Sequence, residues 1–149
     1  MRFSVGILPL SAFLLVACGP APQAEVDTTP LNGREIFATR CVSCHQADGS
    51  GIPGHCPPMM GSQILAGSSD DLLRLILLGK KGPVTRDGVT YNGVMPAWRY
   101  DLTDFQIAYV VNELYARWQP EKAAISPELV QGIRQSLVGS QPFSDASPK

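Results

Sequence analysis

Helices dominate the fold that this sequence predicts, and three observations carry that reading. Thr103, with Gln106 three places on, forms a capping box. It opens a strongly periodic stripe of Ile107, Val110, Val111, Leu114 and Trp118. A second segment, capped by Ser69 and ended by Gly79, holds Leu72, Leu73, Leu75, Ile76, Leu77 and Leu78. It has hardly any polar face, so it must be buried on most sides. Strand signals are confined to one weak hairpin, Val84-Thr85 and Val89-Thr90-Tyr91 about Asp87-Gly88.

The remaining elements follow in chain order. Met1-Arg2, an apolar run from Phe3 to Ala17 and small residues before Cys18 describe an export signal over residues 1–17. The run is too short for a bilayer span, which needs about 20 residues. Its Leu15-Val16-Ala17-Cys18 ending resembles the lipobox of bacterial lipoproteins, in which Cys18 becomes the first residue and carries the lipid. Residues 18–30 are proline-rich and without periodicity, as a flexible tether is. Leu31 to Cys41 reads as a first helix, with Ile36 and Phe37 on its apolar face. Gly33 removes bulk where that helix would cross the one from Thr103. Gln46 to Met60 is rich in glycine and proline and must be irregular. Ser126-Pro127-Glu128 starts a further amphipathic helix to about Val138, before a Ser/Pro-rich tail.

What remains after the signal is enough for one compact domain and too little for two. The formal charge is −1, and no basic cluster stands out beyond Lys80-Lys81, which argues against nucleic acid as a partner.

Chemistry concentrates in Cys41-Val42-Ser43-Cys44-His45, a C-x-x-C-H pentapeptide. Two thiols at this spacing add to the two vinyl groups of one haem, and the adjacent imidazole is delivered to the iron. Of the 4 cysteines, Cys18 would carry lipid and Cys41 and Cys44 haem, which leaves Cys56 as a free thiol. The competing account is a zinc site from Cys41, Cys44, His55 and Cys56. Adjacent His55 and Cys56 are awkward on one small ion, and zinc explains nothing about residues 79–98. A thioredoxin-like pair lacks the βαβ pattern it needs.

Met95, within Tyr91-Asn92-Gly93-Val94-Met95-Pro96-Ala97-Trp98, is the candidate sixth ligand. A thioether is a soft, neutral donor that favours ferrous iron, although methionine also serves as core filler. Gly93 allows a tight approach and Pro96 holds the strand. Met59, Met60 and His55 are the rivals, but all follow His45 closely enough to be expected on its side of a porphyrin. Trp98 either donates its indole N–H to a haem propionate or is a plain core aromatic.

Residues 31–118 resemble a small bacterial class I cytochrome c. The resemblance rests on Gly33 and Phe37, the pentapeptide, Gly51-Ile52-Pro53-Gly54 with Pro57-Pro58, the Tyr91–Trp98 segment and the helix ending near Trp118. It implies an all-α fold around one covalently bound haem c, with His45 proximal, Met95 distal and an extra C-terminal helix within residues 119–149. It also implies a proline carbonyl, Pro57 here, that accepts from the proximal imidazole Nδ1–H. The chain departs from the pattern at His55-Cys56, where relatives carry apolar residues, often an aromatic.

Ligands on both haem faces leave no vacant position for a small-molecule substrate at the iron. The expectation is therefore an electron carrier and not an enzyme, passing single electrons to redox protein partners through an exposed haem edge. Its lipid would hold it on the periplasmic side of a bacterial membrane. Two other readings stand beside this one. The first is a haem subunit permanently docked on a dehydrogenase or terminal reductase, with the Ser126–Val138 helix as the docking face. The second is a peroxidase or gas sensor with a labile distal ligand.

Overall fold

The computed structural model describes residues 32–140. The expected signal, Cys18, the tether and the end of the tail lie outside the described residues. The first helix begins with a capping box: Asn32 Oδ1 accepts from the Glu35 backbone N–H, and the Glu35 carboxylate accepts from that of Asn32. Helix α1 (Gly33–Ile36) continues through a π-helical turn (Phe37–Cys41) into α2 (Val42–His45), its backbone helical throughout. The helix therefore does not stop at Cys41, as the sequence suggests, but carries the whole pentapeptide. A π turn spends an extra residue per turn, and such turns gather at functional sites. Gln46, at φ 60, breaks the helix directly after His45.

A short α3 (Gln63–Ala66), for which the sequence carries no clear signal, precedes α4 (Ser69–Leu78). Ser68, not Ser69, caps α4: its hydroxyl accepts from Asp70 N–H at 3.2 Å. The Ser69 hydroxyl instead lies 3.1 Å from the Tyr115 hydroxyl. Two adjacent serines are equivalent caps in sequence, and the tertiary contact decides between them. Leu72, Leu73, Ile76, Leu77 and Leu78 are all buried, as a helix without a polar face requires. The hairpin forms as expected, with β1 (Val84–Arg86) antiparallel to β2 (Val89–Tyr91) and Val84 opposite Tyr91. Asp87 and Gly88 both take positive φ, the geometry of a tight two-residue turn that matches strand twist.

Helix α5 (Asp104–Trp118) forms behind its Thr103–Gln106 capping box and organises the core. It meets α1 at Gly33, where an added Cβ would overlap the Tyr109 carbonyl oxygen. On another side it packs against α6 (Pro127–Ser136), which also touches α4. Val130 and Ile133 of α6 join Ile36, Phe37, Leu73, Leu77, Ile107 and Val111 in one core. Polar contacts fasten this C-terminal segment. The Asn112 amide donates to the Ile125 carbonyl at 3.0 Å and accepts from its N–H at 2.7 Å. Arg134 pairs with Asp104 at 2.7 Å and donates to the carbonyls of Leu102 and Arg99.

Candidate haem site

A cavity of about 410 Å³ opens between α2, α4, α5 and the loops, a volume in the usual range for ligand pockets. Its walls bring together Cys41, Cys44, His45, Pro57, Met95 and Trp98, every residue within the described chain that the sequence nominated. Leu65, Leu72, Ile76, Val110 and Leu114 supply an apolar lining. The apolar residues of α4 are thus shared between the core, which takes Leu73 and Leu77, and the cavity, which takes Leu72, Leu75 and Ile76.

His45 projects from the last turn of α2, and its Nδ1 is buried without a hydrogen-bond partner. Burial lowers the proton affinity of the ring, while the Pro57 carbonyl acts in the opposite sense. The loop that supplies Pro57 is tightly constrained. Gly51 N–H donates to the His45 carbonyl at 3.1 Å, and Ile52 and Cys56 exchange two backbone hydrogen bonds of 2.8 Å. Gly51 sits at φ +71, where a Cβ would overlap the Cys56 carbonyl and lie 2.8 Å from Pro57 C. Only glycine lets this turn close beneath the prolines. Arg86 donates to the Pro58 carbonyl and ties the hairpin to the same loop.

Burial, then the neighbouring Cys44, pushes the Cys41 thiol up to about 11. Cys56, 7% exposed, is likewise pushed up to about 11 by burial first and by Cys44 second. Both thiols are therefore protonated near neutrality.

Met95, also in the cavity wall, is stitched to the end of α4. Lys80 N–H donates to the Met95 carbonyl at 2.9 Å, and Met95 N–H donates back to the Lys80 carbonyl at 3.0 Å. Trp98 N–H donates to the Ile76 carbonyl at 3.1 Å, and its half-buried ring packs against the core. Gly79, at φ 66 and ψ −178, makes this seam possible: a Cβ there would lie 2.5 Å from the Met95 carbonyl oxygen.

The rivals to Met95 occupy distinct places. Met60 is 62% exposed. Met59 lines the cavity but donates its N–H to the Gly49 carbonyl at 2.7 Å, which ties it to the turn behind His45. His55 is exposed at the seam between the loops, its donor atom within 4.8 Å of the Cys44 sulfur and its carbonyl accepting from Gly93 N–H at 2.8 Å. The close approach that Gly93 allows is thus to His55, where a Cβ would be 3.2 Å from the ring carbon Cε1.

One grouping runs against the sequence expectation. Donor atoms of Cys44, His55 and Cys56 lie within 4.8 Å of one another. Sequence adjacency argues that His55 and Cys56 should not converge. The Ile52–Cys56 bridge bends the chain so that they do, a tertiary effect that spacing alone does not carry.

An orphaned buried imidazole nitrogen, two thiols at vinyl-bridging spacing and an apolar cleft with a thioether residue in its wall together fit a porphyrin. The family model described as Cytochrome c matches residues 31–114. A cytochrome c-552 of Thermus thermophilus is 38% identical over 117 residues, covering 76% of this chain and 73% of that protein. One of the nicotinate dehydrogenase subunits of Pseudomonas putida is 34% identical across 73% of this chain but only 9% of its own length. The fructose dehydrogenase cytochrome subunit of Gluconobacter japonicus is 30% identical across 72% of this chain and 23% of its own. The chain belongs to the cytochrome c family: an electron carrier and not an enzyme, with an all-α class I fold and a haem c bound covalently through two cysteines.

Proposed function

We propose that this protein is a membrane-tethered monohaem carrier that moves single electrons between periplasmic redox partners by outer-sphere transfer. Cys41 and Cys44 would hold the haem, and His45 and Met95 would supply the ligands to its iron. The observation that carries this reading is one apolar cavity with all four residues in its walls. When bound, the haem supplies a one-electron couple whose potential its axial ligands and burial set. The chain's own residues then have defined tasks. The Pro57 carbonyl takes the otherwise unpartnered Nδ1–H of His45, which leaves Nε2 for the metal. The Lys80–Met95 bridge holds in place the loop that carries Met95. Trp98 presents its indole N–H toward a propionate.

Tethering rests on the sequence before residue 19: an apolar run that ends Leu-Val-Ala-Cys. A lipid on Cys18 raises the effective concentration of the haem near membrane-bound partners without any new contact.

The docked-subunit reading draws on the dehydrogenase relatives. Two observations favour the separate carrier. Helix α6, the proposed docking face, spends Val130 and Ile133 on the core of its own domain. This chain also spans most of the Thermus cytochrome and only a small part of the dehydrogenase subunits.

Mass and optical spectra of the detergent-extracted protein test the reading. The expected result is one haem, a low-spin spectrum with a far-red iron–thioether band, and a lipid on Cys18. Cys18→Ser should release a coloured protein into the soluble fraction. A membrane fraction that holds as much of the Cys18→Ser protein refutes the tether, and obligate co-purification with a dehydrogenase refutes the separate carrier.

A further inference from the structure

The Cys44–His55–Cys56 cluster has no part in holding iron, yet it gathers three donor atoms at the edge of the haem cavity. We propose that in the haem-loaded protein Cys56, His55 and the Cys44 sulfur form a binding site for a soft monovalent cation, copper(I). The proposal rests on the cytochrome reading, because that reading decides what Cys44 is. Bonded to haem, its sulfur is a thioether, a neutral soft donor that keeps a lone pair. Thioether, thiolate and imidazole together suit copper(I), whereas zinc selects thiolates, imidazoles and carboxylates.

Geometry permits the site. Three donors around one ion, at metal–sulfur bonds of about 2.3 Å, stand about 4.0 Å apart. The donors lie within 4.8 Å of one another, so the side chains must close by up to about 0.8 Å. His55 is exposed and gives the ion a way in, while Cys56 lies buried behind it. The scaffold is braced from both sides, by the Ile52–Cys56 bridge and by Gly93 N–H donating to the His55 carbonyl. Binding replaces the Cys56 S–H bond with a sulfur–copper bond, and the proton leaves to water. No electron moves.

The test uses purified, haem-loaded, reduced protein under anaerobic conditions, with copper(I) supplied from a competing chelator. Expected is one copper per haem, with sulfur and nitrogen neighbours by X-ray absorption. Cys56→Ser and His55→Ala should each lose that copper while still carrying one haem per chain. Exposed His55 is the variant that leaves the fold intact. Haem-loaded protein that takes up no copper overturns the proposal and leaves the cytochrome reading standing. Copper retained by both variants overturns it too, and zinc bound as tightly as copper overturns the choice of metal. A colourless chain sinks both readings together, so haem content tells the two failures apart.

Discussion

Gly79→Ala should injure the haem site from outside the cavity. Gly79 has φ 66 and ψ −178, a region open essentially to glycine alone, so alanine there costs about 1–3 kcal/mol in backbone strain. Its Cβ would also lie 2.5 Å from the Met95 carbonyl oxygen, 2.6 Å from Ala97 N and 2.7 Å from Pro96 C. All three are backbone atoms, so no side chain can swing aside, and overpacking of this kind adds about 1–3 kcal/mol. The combined loss is about 4 kcal/mol, or a melting temperature lower by about 15 °C for a domain of this size. Gly61 is the internal control, because its φ is +66, nothing lies within 4 Å of an added Cβ and it does not line the cavity. Gly61→Ala should therefore show the strain without the clash. Thermal unfolding followed by circular dichroism reads the stability, and the far-red iron–thioether band reads Met95. The expectation is that Gly79→Ala weakens that band and Gly61→Ala preserves it. Equal melting temperatures and equal bands in the two variants would refute the reasoning.

Other outcomes follow from the same contacts. Met95→Ala should give a coloured, folded protein that has lost the far-red band and binds carbon monoxide rapidly when reduced; a retained band would make Met95 the wrong ligand. Arg134→Met removes a guanidinium that serves Asp104 and the carbonyls of Leu102 and Arg99. It should cost about 2–3 kcal/mol by urea titration, discounted because both partners are partly exposed. Glu128 is held below its ordinary value of 4.5 by its own backbone N–H and by the Ser126 hydroxyl at the start of α6. A depressed carboxylate contributes stability that is present above its unfolded pKa and lost as pH falls through the folded one. The wild-type melting temperature should thus fall more steeply than that of Glu128→Gln between about pH 5 and pH 3, and parallel curves would contradict the assignment.

Much of the site was legible in the chain itself, for local reasons. A capping box closes over four residues, a two-residue turn needs positive φ at Asp87 and Gly88, and C-x-x-C-H sets both thiols and an imidazole within one helical turn. Periodicity in α5 and the leucine-rich run of α4 likewise announce their burial. None of these depends on what lies far away in sequence. The misses are of the opposite kind. Whether Ser68 or Ser69 caps α4 turns on where Tyr115 arrives, 46 positions later. The π turn before the haem cysteines has no local signature in Phe37–Cys41.

What the amino-acid order determined alone was the cofactor chemistry and the elements that carry it, because those follow from spacings of a few residues. The tertiary structure decided where the methionines lie. It ties Met95 to Lys80 at the end of α4, sets Met59 and Met95 in the cavity wall and leaves Met60 in solvent. It also brought Cys44 and Cys56 together with His55, through a loop closed by Gly51. Ligand choice and cluster formation are contacts between segments. Their geometry exists only once the backbone between them has been folded and packed.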